Sequence, residues 1–444
     1  MKHITIFGAG LVGSLLTVYL AKRGYKVSVY ERRADPRKNE LGAGRSINLA
    51  MSDRGWRALE KVGVDKKIAK IAIPMRGRMI HDTEGNLTFQ PYGTENQAIF
   101  SVSRGDLNLA LIQEADSFDN VTFYFDHKCQ DVELENASAT VLHNKEKKHI
   151  KADLILGADG AFSVVRQALM RTDRFNFSQY YIPHGYKELC MPAAEHGGYR
   201  LEKNALHIWP RGKLMLIALP NLDKSFTCTL FLPFEGEDSF EKLQNKTQVK
   251  AFFEKNFPDA LQNLPNLIDE FSKNPTSSLL TVKASPWVYD NKVALIGDAA
   301  HAIVPFYGQG MNAGFEDCFV LNQLLDKYKD NWEKTLPAYQ EARIENANAI
   351  SELALQNFIE MRDSVANEKF LLRKKIEAYM HQLYPTQWIP LYTMVTFSDI
   401  PYAEALRIGK KQAAIMDEVM SRRGIEENWR SMDFAQIVDK LEME

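Results

Sequence analysis

Short apolar runs separated by polar turns open the chain and recur later in it. Residues 4–7 form one such run, and residues 14–24 then show the amphipathic pattern of a helix. Residues 26–30 form a second apolar run. This order of strand, helix and strand is typical of the unit that builds a parallel sheet. The apolar runs at residues 154–158 and 293–296 predict further buried strands.

The middle and the end of the chain follow different patterns. Residues 206–232 contain closely spaced strand-forming segments joined by turns, which predicts antiparallel strands. From about Pro337 onward the pattern becomes helical and charged. On one of these helices Asn357 recurs at helical spacing with Ile350 and Leu353, so it lies on an apolar face. An Asn in that setting is more often a core group with satisfied hydrogen bonds than a ligand contact.

Composition excludes several classes of protein. Lys and Arg total 55 and Asp and Glu total 57, so the net charge of -2 gives no electrostatic case for nucleic acid binding. The four cysteines are scattered without the spacing of a zinc site, which fits a reduced, cytoplasmic setting. The start of the chain lacks a signal-peptide pattern, and no apolar run approaches the ~18 residues of a membrane span. We therefore expect a soluble cytoplasmic protein with no membrane anchor and no metal.

The first chemical signal lies between the first strand and the first helix. Gly8 permits a tight turn, Gly10 lets the backbone approach a pyrophosphate, and Gly13 lets the helix pack close to the sheet. Glu31 ends the second strand, close to where an acid that binds a ribose is expected. The pattern predicts a dinucleotide site, although glycine turns of this kind are common. By itself it does not distinguish FAD from NAD.

Two later motifs bear on that question. Residues 159–166 (DGAFSVVR) and residues 297–301 (GDAAH) each follow an apolar strand, and either alone is compatible with an ordinary turn. Together with the glycine motif, in this order, they resemble the single-component FAD-dependent aromatic hydroxylases. The resemblance implies that Asp298 holds the ribityl chain of FAD. It also implies that the segment from Asp159 to Arg166 lies near the pyrophosphate and assists nicotinamide binding.

The segment after His301 fits a flavin site. A glycine loop there opens a helix at about Gly310, whose N-terminal N–H groups would face the pyrimidine side of the flavin. Only one nucleotide fingerprint is present, so NADPH is expected to visit the site, reduce the flavin and leave. The predicted cofactor-binding residues are Gly8, Gly10, Gly13, Glu31, Arg32, Arg104, Asp159, Asp298, Gly310, Met311 and Asn312.

Segments outside the cofactor motifs resemble the branch of this family that hydroxylates kynurenine. They are residues 44–50, 75–79, 90–93, 183–189, 204–210, 218–231, 304–318 and 392–402. The implied reaction converts L-kynurenine to 3-hydroxy-L-kynurenine with NADPH and O₂, through a C4a-hydroperoxyflavin and without a protein nucleophile. Family members in mitochondria end in a membrane-anchoring helix, whereas the last residues of this chain are too polar to insert in a membrane. The chain is therefore expected to be of the soluble, bacterial type.

The resemblance also implies roles in substrate binding. The polar end of the substrate is assigned to Arg78, Tyr92, Asn357 and Tyr392. The apolar wall is assigned to Leu206, Met215, Ile217, Leu219, Phe231, Pro305, Phe306 and Met361, and the loop over the flavin to Pro305, Phe306 and Tyr307. A solvated surface charge is the alternative for Arg78, and a structural salt bridge is the alternative for Arg104. Tyr307 stands at a position that varies within the family, so the sequence assigns it no detailed role.

The predicted fold is α/β, with a Rossmann-like FAD-binding domain, an antiparallel β-sheet substrate domain and a C-terminal helical region. The FAD-binding domain takes residues 1–74, 104–180 and 283–345, and the substrate domain takes residues 75–103 and 181–282. Residues 346–444 form the helical region, which is expected to close the active site. Two other functions stay open at this point. One is a related flavin monooxygenase with a different aromatic substrate, and the other is a dinucleotide-binding protein without enzyme activity.

Overall fold

The computed structural model describes residues 2–38, 48–93, 97–361 and 368–441. The strands are β1 (His3–Phe7), β2 (Lys26–Tyr30), β3 (Asn48–Met51), β4 (Ala72–Met75), β5 (Gly77–His81), β6 (Leu87–Pro91), β7 (Ile99–Ser103), β8 (Val121–Tyr124), β9 (Lys128–Glu133), β10 (Ser138–His143), β11 (Glu146–Lys151), β12 (Leu154–Gly157), β13 (Asn176–Met191), β14 (Ala205–Arg211), β15 (Leu214–Pro220), β16 (Phe226–Pro233), β17 (Ser277–Ser285), β18 (Val288–Tyr289) and β19 (Val293–Leu295). The helices are α1 (Leu11–Lys22), α2 (Asp53–Lys61), α3 (Asp65–Ala69), α4 (Arg104–Asp116), α5 (Val164–Leu169), α6 (Lys246–Asn256), α7 (Pro258–Leu261), α8 (Leu267–Lys273), α9 (Asp298–His301), α10 (Gly310–Lys327), α11 (Trp332–Ile359), α12 (Glu368–Leu383), α13 (Leu391–Thr396), α14 (Tyr402–Met420), α15 (Ile425–Asn428) and α16 (Phe434–Asp439). Residues 44–47, part of one segment that carried the resemblance, lie outside the described residues.

A six-stranded sheet forms the first layer, in the order β18-β19-β12-β1-β2-β8. All of its pairs are parallel except β18 with β19. Its central strands are largely buried, because helices or loops cover both faces of a parallel sheet. All four residues of β12 are buried, for example. The Rossmann-like domain predicted from the apolar runs is confirmed.

A seven-stranded sheet forms the second layer, in the order β17-β13-β16-β15-β14-β5-β6. It is antiparallel except that β5 runs parallel to β14, a pairing between distant segments that the sequence pattern did not predict. Successive side chains of a strand point to opposite faces. On β15, Leu214 and Leu216 pack in a core with α6 to α8, whereas Met215 and Ile217 face the other side.

Helices dominate the end of the chain, as predicted. α11 is 28 residues long and includes Pro337, which stands in its first turns and so breaks few helical hydrogen bonds. α14 contacts two hydrophobic cores, since Tyr402 and Ala405 pack with α11 and α13, and Met416 packs in a separate core with α12 and α16. No helix among the described residues is long and apolar enough to cross a membrane.

The fold class is thus confirmed: an α/β chain with a parallel nucleotide-type sheet, a mainly antiparallel sheet and C-terminal helices. The proposed domain boundaries stay predictions. In the structure β17 crosses the boundary placed between residues 282 and 283, because the strand runs on through Ser285. β7 pairs with β3 and β4 in a small sheet of its own rather than with the seven-stranded sheet.

Candidate active site

A cavity of about 580 Å³ lies between the two large sheets and the C-terminal helices. Of the predicted cofactor-binding residues, it is lined by Gly8, Gly10, Glu31, Arg32, Arg104, Asp159, Asp298, Gly310 and Met311. Of the predicted substrate and loop residues, it is lined by Arg78, Leu206, Met215, Ile217, Leu219, Phe231, Pro305, Phe306, Tyr307, Met361 and Tyr392. The residues Gly13, Tyr92, Asn312 and Asn357 lie outside the lining.

The three glycines of the first motif have separate tasks. Gly8 has a φ of +103°, and a Cβ on it would stand 2.3 Å from the carbonyl oxygen of Ala158. A Cβ on Gly13 would stand 1.9 Å from the carbonyl oxygen of Gly8, so this glycine lets α1 pack against the turn. A Cβ on Gly10 would meet nothing within 4 Å, because that position opens into the cavity. Gly10 is also the N-cap of α1 and offers no side-chain cap, which leaves the first N–H groups for an anion.

Glu31 is held at the end of β2 by several donors. Its carboxylate accepts hydrogen bonds from the backbone N–H groups of Ala9 and Arg33, both at 2.9 Å. Burial alone would raise the pKa of Glu31, but hydrogen bonds and the positive charge of Arg33 outweigh it and lower that pKa. Glu31 is therefore a fixed anion at the cavity wall, beside the exposed Arg32 and Arg33.

Two further carboxyl groups face this part of the cavity. Oδ2 of Asp159 accepts from the N–H of Val164 at 2.7 Å, whereas its buried Oδ1 has no partner among the described residues. Asp298 begins α9, and its side chain is exposed to the cavity although it lies deep in the molecule. Burial raises the pKa of both carboxyls, and for Asp298 the charge of Arg104 offsets only part of that effect. Hydrogen bonds donated by ligand hydroxyl groups would favour the charged form of both acids and oppose this effect of burial.

The loop before α10 shapes the centre of the cavity. α10 begins at Gly310 with no side-chain cap and no acidic residue in its first turn, so its first N–H groups are available to a ligand. The amide of Asn312 is used inside the protein. Its Oδ1 accepts from the N–H of Ser52 at 3.0 Å, and its Nδ2 donates to the carbonyls of Ala50 at 2.9 Å and Gly308 at 2.7 Å. The Asn312 side chain therefore holds the loop in place.

The opposite end of the cavity carries a buried cation among aromatic rings. The Tyr392 ring stacks on Tyr92 at 5.1 Å and on Tyr307 at 5.5 Å between ring centroids. The guanidinium of Arg78 lies 4.8 Å from the centre of the Tyr392 ring and 5.6 Å from that of Tyr92. Its Nε is buried and has no hydrogen-bond partner among the described residues. A buried donor of this kind is costly unless a ligand pairs with it, which argues against a solvated surface charge.

Asn357 lies close to this end but is not one of the residues that line the cavity. Its Nδ2 donates to the carbonyl of Phe306 at 2.7 Å and contacts Sδ of Met361 at 3.2 Å. The side chain is 6% exposed. The geometry is that of a core polar group that supports the loop at Phe306, which was the alternative that the sequence pattern favoured.

Sequence reasoning missed a buried network of charges behind the cavity. Glu316 pairs with Arg54 at 2.5 Å and with Arg343 at 2.6 Å. Asp317 pairs with Arg343 at 2.7 Å and with His301 at 2.6 Å, and it also accepts from the N–H of Gly297 at 3.0 Å. Burial would raise the pKa of both acids, but the neighbouring cations outweigh it and lower both values. No signal in the sequence pairs these partners, because they lie far apart along the chain.

Comparison with known proteins identifies the family. A family model described as an FAD binding domain matches residues 1–354. A relative from Flavobacterium johnsoniae named kynurenine 3-monooxygenase is 53% identical over 96% of this chain and 96% of its own length. The chain belongs to the kynurenine 3-monooxygenase family. Relatives of the same name from Sus scrofa (48% identical, covering 91% and 85% of the two chains) and Dictyostelium discoideum (46% identical, covering 94% and 93%) agree.

Solved structures agree on the fold. The tetrameric form of 2-methyl-3-hydroxypyridine-5-carboxylic acid oxygenase has a TM-score of 0.68 at 20% identity, covering 82% of this chain and 94% of that one. Pseudomonas aeruginosa PqsL, in complex with 2-aminobenzoylacetate, has a TM-score of 0.66 at 19% identity, covering 81% and 99%. Membership of the kynurenine 3-monooxygenase family makes the chain an FAD-dependent monooxygenase with NADPH as co-substrate. The family membership does not favour the non-enzymatic alternative.

Proposed function

We propose that the chain hydroxylates L-kynurenine to 3-hydroxy-L-kynurenine, with bound FAD and with NADPH and O₂ as co-substrates. The observation that carries the proposal is the guanidinium of Arg78 at one end of the cavity, whose buried Nε has no hydrogen-bond partner among the described residues. The names of the relatives point to the same substrate. Kynurenine has a carboxylate at one end and an aniline ring at the other. Its carboxylate would pair with Arg78 and its ring would lie against the apolar wall.

The residues around the turn from Gly8 to Gly13, here called the nucleotide end of the cavity, fit FAD. Gly10 leaves room for a pyrophosphate beside the first N–H groups of α1, and Glu31 would accept a hydrogen bond from a ribose hydroxyl. Asp298 would accept from the ribityl chain, and the unpaired Oδ1 of Asp159 supplies a further acceptor nearby. When bound, FAD supplies the redox chemistry, in which electrons from NADPH activate O₂ for oxygen transfer to the ring.

The opposite end, around Arg78 and Tyr392, would orient the substrate and is here called the substrate end of the cavity. Hydroxylation of one ring carbon requires that the far end of the molecule be fixed, because a small tilt moves the target atom away. A guanidinium can bind a carboxylate through two parallel charge-assisted hydrogen bonds, and the tyrosine rings around Arg78 restrict how it moves. Tyr392 lines the cavity and would complete this polar end, whereas Tyr92 supports the Tyr392 ring from behind.

The apolar wall formed mainly by β15 and β16 would exclude water. Met215, Ile217 and Phe231 face the cavity from adjacent strands, and Phe306 packs against Phe231 at 4.9 Å between ring centroids. These side chains present an apolar surface to the cavity and would keep water away from the place where FAD would supply the oxygen-transfer chemistry. The substrate ring carries its own activating amino group, and no protein nucleophile is needed.

The test is kynurenine-stimulated oxidation of NADPH by the purified, FAD-loaded enzyme, with the product identified by mass spectrometry. We expect faster NADPH oxidation and a product one oxygen atom heavier than kynurenine. Anthranilate, which keeps the amino-substituted ring and lacks the amino acid end, is the matched control and should give little product. A parent enzyme that hydroxylates anthranilate and does not act on kynurenine would refute the proposed substrate.

The proposal includes a cytoplasmic location. The four cysteines are free thiols, which is the usual state in a reducing compartment.

A further inference from the structure

Arg54 lies outside the cavity lining, yet it joins two elements that shape the cavity. It stands in the first turn of α2 and is 2% exposed. Its Nε donates to the carbonyl of Val395 at 2.9 Å, and one terminal nitrogen donates to the carbonyls of Met394 at 3.4 Å and of Ile400. The other terminal nitrogen pairs with Glu316 at 2.5 Å. Every nitrogen of this guanidinium therefore has an acceptor.

The three carbonyls belong to one segment of the chain. Met394 and Val395 lie in the last turn of α13, and Ile400 lies just before α14. The last carbonyls of a helix have no partner inside the helix, and a cation near them is favourable. α13 has only six residues and no basic residue in its last turn, so Arg54 supplies from α2 the cation that α13 lacks. A short helix of this kind depends on such contacts for its position.

α13 also carries Tyr392, one residue from its start. Tyr392 is the cavity-lining member of the tyrosine stack, and its ring lies under the guanidinium of Arg78. At its other end Arg54 is fixed by Glu316 in α10, the helix whose first turn faces the cavity. The face of the Arg54 guanidinium rests 3.9 Å from the centre of the Tyr402 ring, at the start of α14. Arg54 is thus held on all sides while it holds α13.

We propose that Arg54 is a positioning residue, which fixes α13 against α10 and thereby sets the place of Tyr392 beside Arg78. It acts through Tyr392 and touches neither substrate nor cofactor. The expected effect of Arg54 on kynurenine binding rests on the proposed function, whereas its role in fixing α13 does not.

The first measurement reads α13 without any substrate. Hydrogen exchange followed by mass spectrometry would compare the FAD-loaded parent with the variants Arg54→Met and Arg54→Lys. We expect amides of residues 391–397 to exchange at least about tenfold faster in Arg54→Met, and peptides from β15 and β16 to stay unchanged. Lys keeps the charge but cannot span several acceptors, so Arg54→Lys should give an intermediate rate. Unchanged exchange at 391–397 in a folded Arg54→Met would overturn the proposal.

The second measurement reads the substrate. Kynurenine titration should show a dissociation constant raised about tenfold in Arg54→Met, with FAD content equal to that of the parent. In a Tyr392→Ala background the same change should add less than about twofold, because the side chain through which Arg54 acts is gone. Full additivity would mean that Arg54 acts by general destabilisation and would overturn the proposal.

Arg57 is the matched control. It lies one turn further along α2 and makes a single 3.3 Å contact to the carbonyl of Ser398 in the same segment. Arg57→Met should leave both the exchange of residues 391–397 and the kynurenine affinity close to those of the parent. The two proposals fail separately. A parent that does not bind kynurenine refutes the proposed function, and the exchange experiment still decides the role of Arg54.

Discussion

The two ends of the cavity are built in different ways. At the nucleotide end, one short turn from Gly8 to Gly13 provides backbone N–H groups and space, and Glu31, Asp159 and Asp298 add acidic side chains. At the substrate end, the wall is made of side chains from β5, β14 to β16 and α13, together with Met361 just beyond the end of α11. The nucleotide end therefore depends on local backbone geometry, whereas the substrate end depends on how distant elements pack. Substitutions at the two ends should fail in different ways.

The largest effect is expected from Gly10→Val at the nucleotide end. The new side chain would enter the open space where a pyrophosphate would lie, and its Cβ would meet no protein atom within 4 Å. The protein should fold but lose most of its flavin, with FAD affinity reduced at least a hundredfold, or about 3 kcal/mol. Flavin absorbance after purification and FAD titration of the apoprotein would measure this loss.

Gly198→Val is the control for that change. Gly198 is exposed, and a Cβ there also meets nothing within 4 Å, but it lies away from the cavity. It should keep full flavin content. If Gly10→Val retained as much FAD as Gly198→Val, the assignment of the turn to the pyrophosphate would be wrong.

Arg78→Ala should show the opposite behaviour at the substrate end. Loss of a hydrogen bond to a charged group costs about 1.5–3 kcal/mol, so kynurenine affinity should fall roughly 10- to 150-fold. Flavin content should not change. Arg78→Lys should recover little of the loss, because Lys lacks the planar fork that binds both carboxylate oxygens. Equilibrium titration with kynurenine is the measurement.

Arg76→Ala serves as the comparison, since Arg76 is exposed two residues earlier and does not line the cavity. Its affinity for kynurenine should match that of the parent. Equal behaviour of Arg76→Ala and Arg78→Ala would refute the carboxylate clamp.

Asn357→Ala separates a supporting residue from a contact residue. Nδ2 of Asn357 donates a buried hydrogen bond to the carbonyl of Phe306. Because Asn357→Ala loses this bond, the free energy of unfolding should fall by about 1 kcal/mol. The free energy of kynurenine binding should change by less than the free energy of unfolding does. Melting curves recorded beside kynurenine titrations would measure both, and a large affinity loss at unchanged stability would restore Asn357 as a direct ligand contact.

Tyr92→Phe should have the smallest effect. Tyr92 lies behind Tyr392, outside the cavity lining, and its ring is retained in the variant. Burial raises the pKa of Tyr92, so its hydroxyl stays neutral and offers no charge to the substrate. We expect a loss of less than about 1 kcal/mol in kynurenine binding. A loss as large as that of Arg78→Ala would mean that the hydroxyl reaches the substrate.

The same contrast explains what could be predicted from the sequence. The parallel sheet follows from local patterns, because residues 154–157 of β12 are apolar on both faces and the glycine turn is contiguous. The parallel pairing of β5 with β14 depends on contacts between distant segments. No periodicity reports it.

The candidate site shows the same limit. The tasks of Gly8, Gly10 and Gly13 were readable from residue type and spacing. The sequence assigned Asn312 to the cofactor and Asn357 to the substrate, but an amide can pair with either a ligand or the backbone, and the structure pairs both with backbone carbonyls. Arg54 gave no signal at all, because its acceptors lie on segments more than 250 positions away along the chain.

The position of the buried charges predicts how the enzyme should respond to ionic strength. Dissolved ions screen charges over about 8 Å in physiological salt, but only where water can carry them. Arg54 and Glu316 are enclosed in protein, so added salt should leave the connection between α10 and α13 unchanged. Arg32 and Arg33 are exposed at the cavity wall, where they can attract an anionic dinucleotide. Salt should therefore slow the encounter with NADPH and leave the alignment of the bound substrate alone.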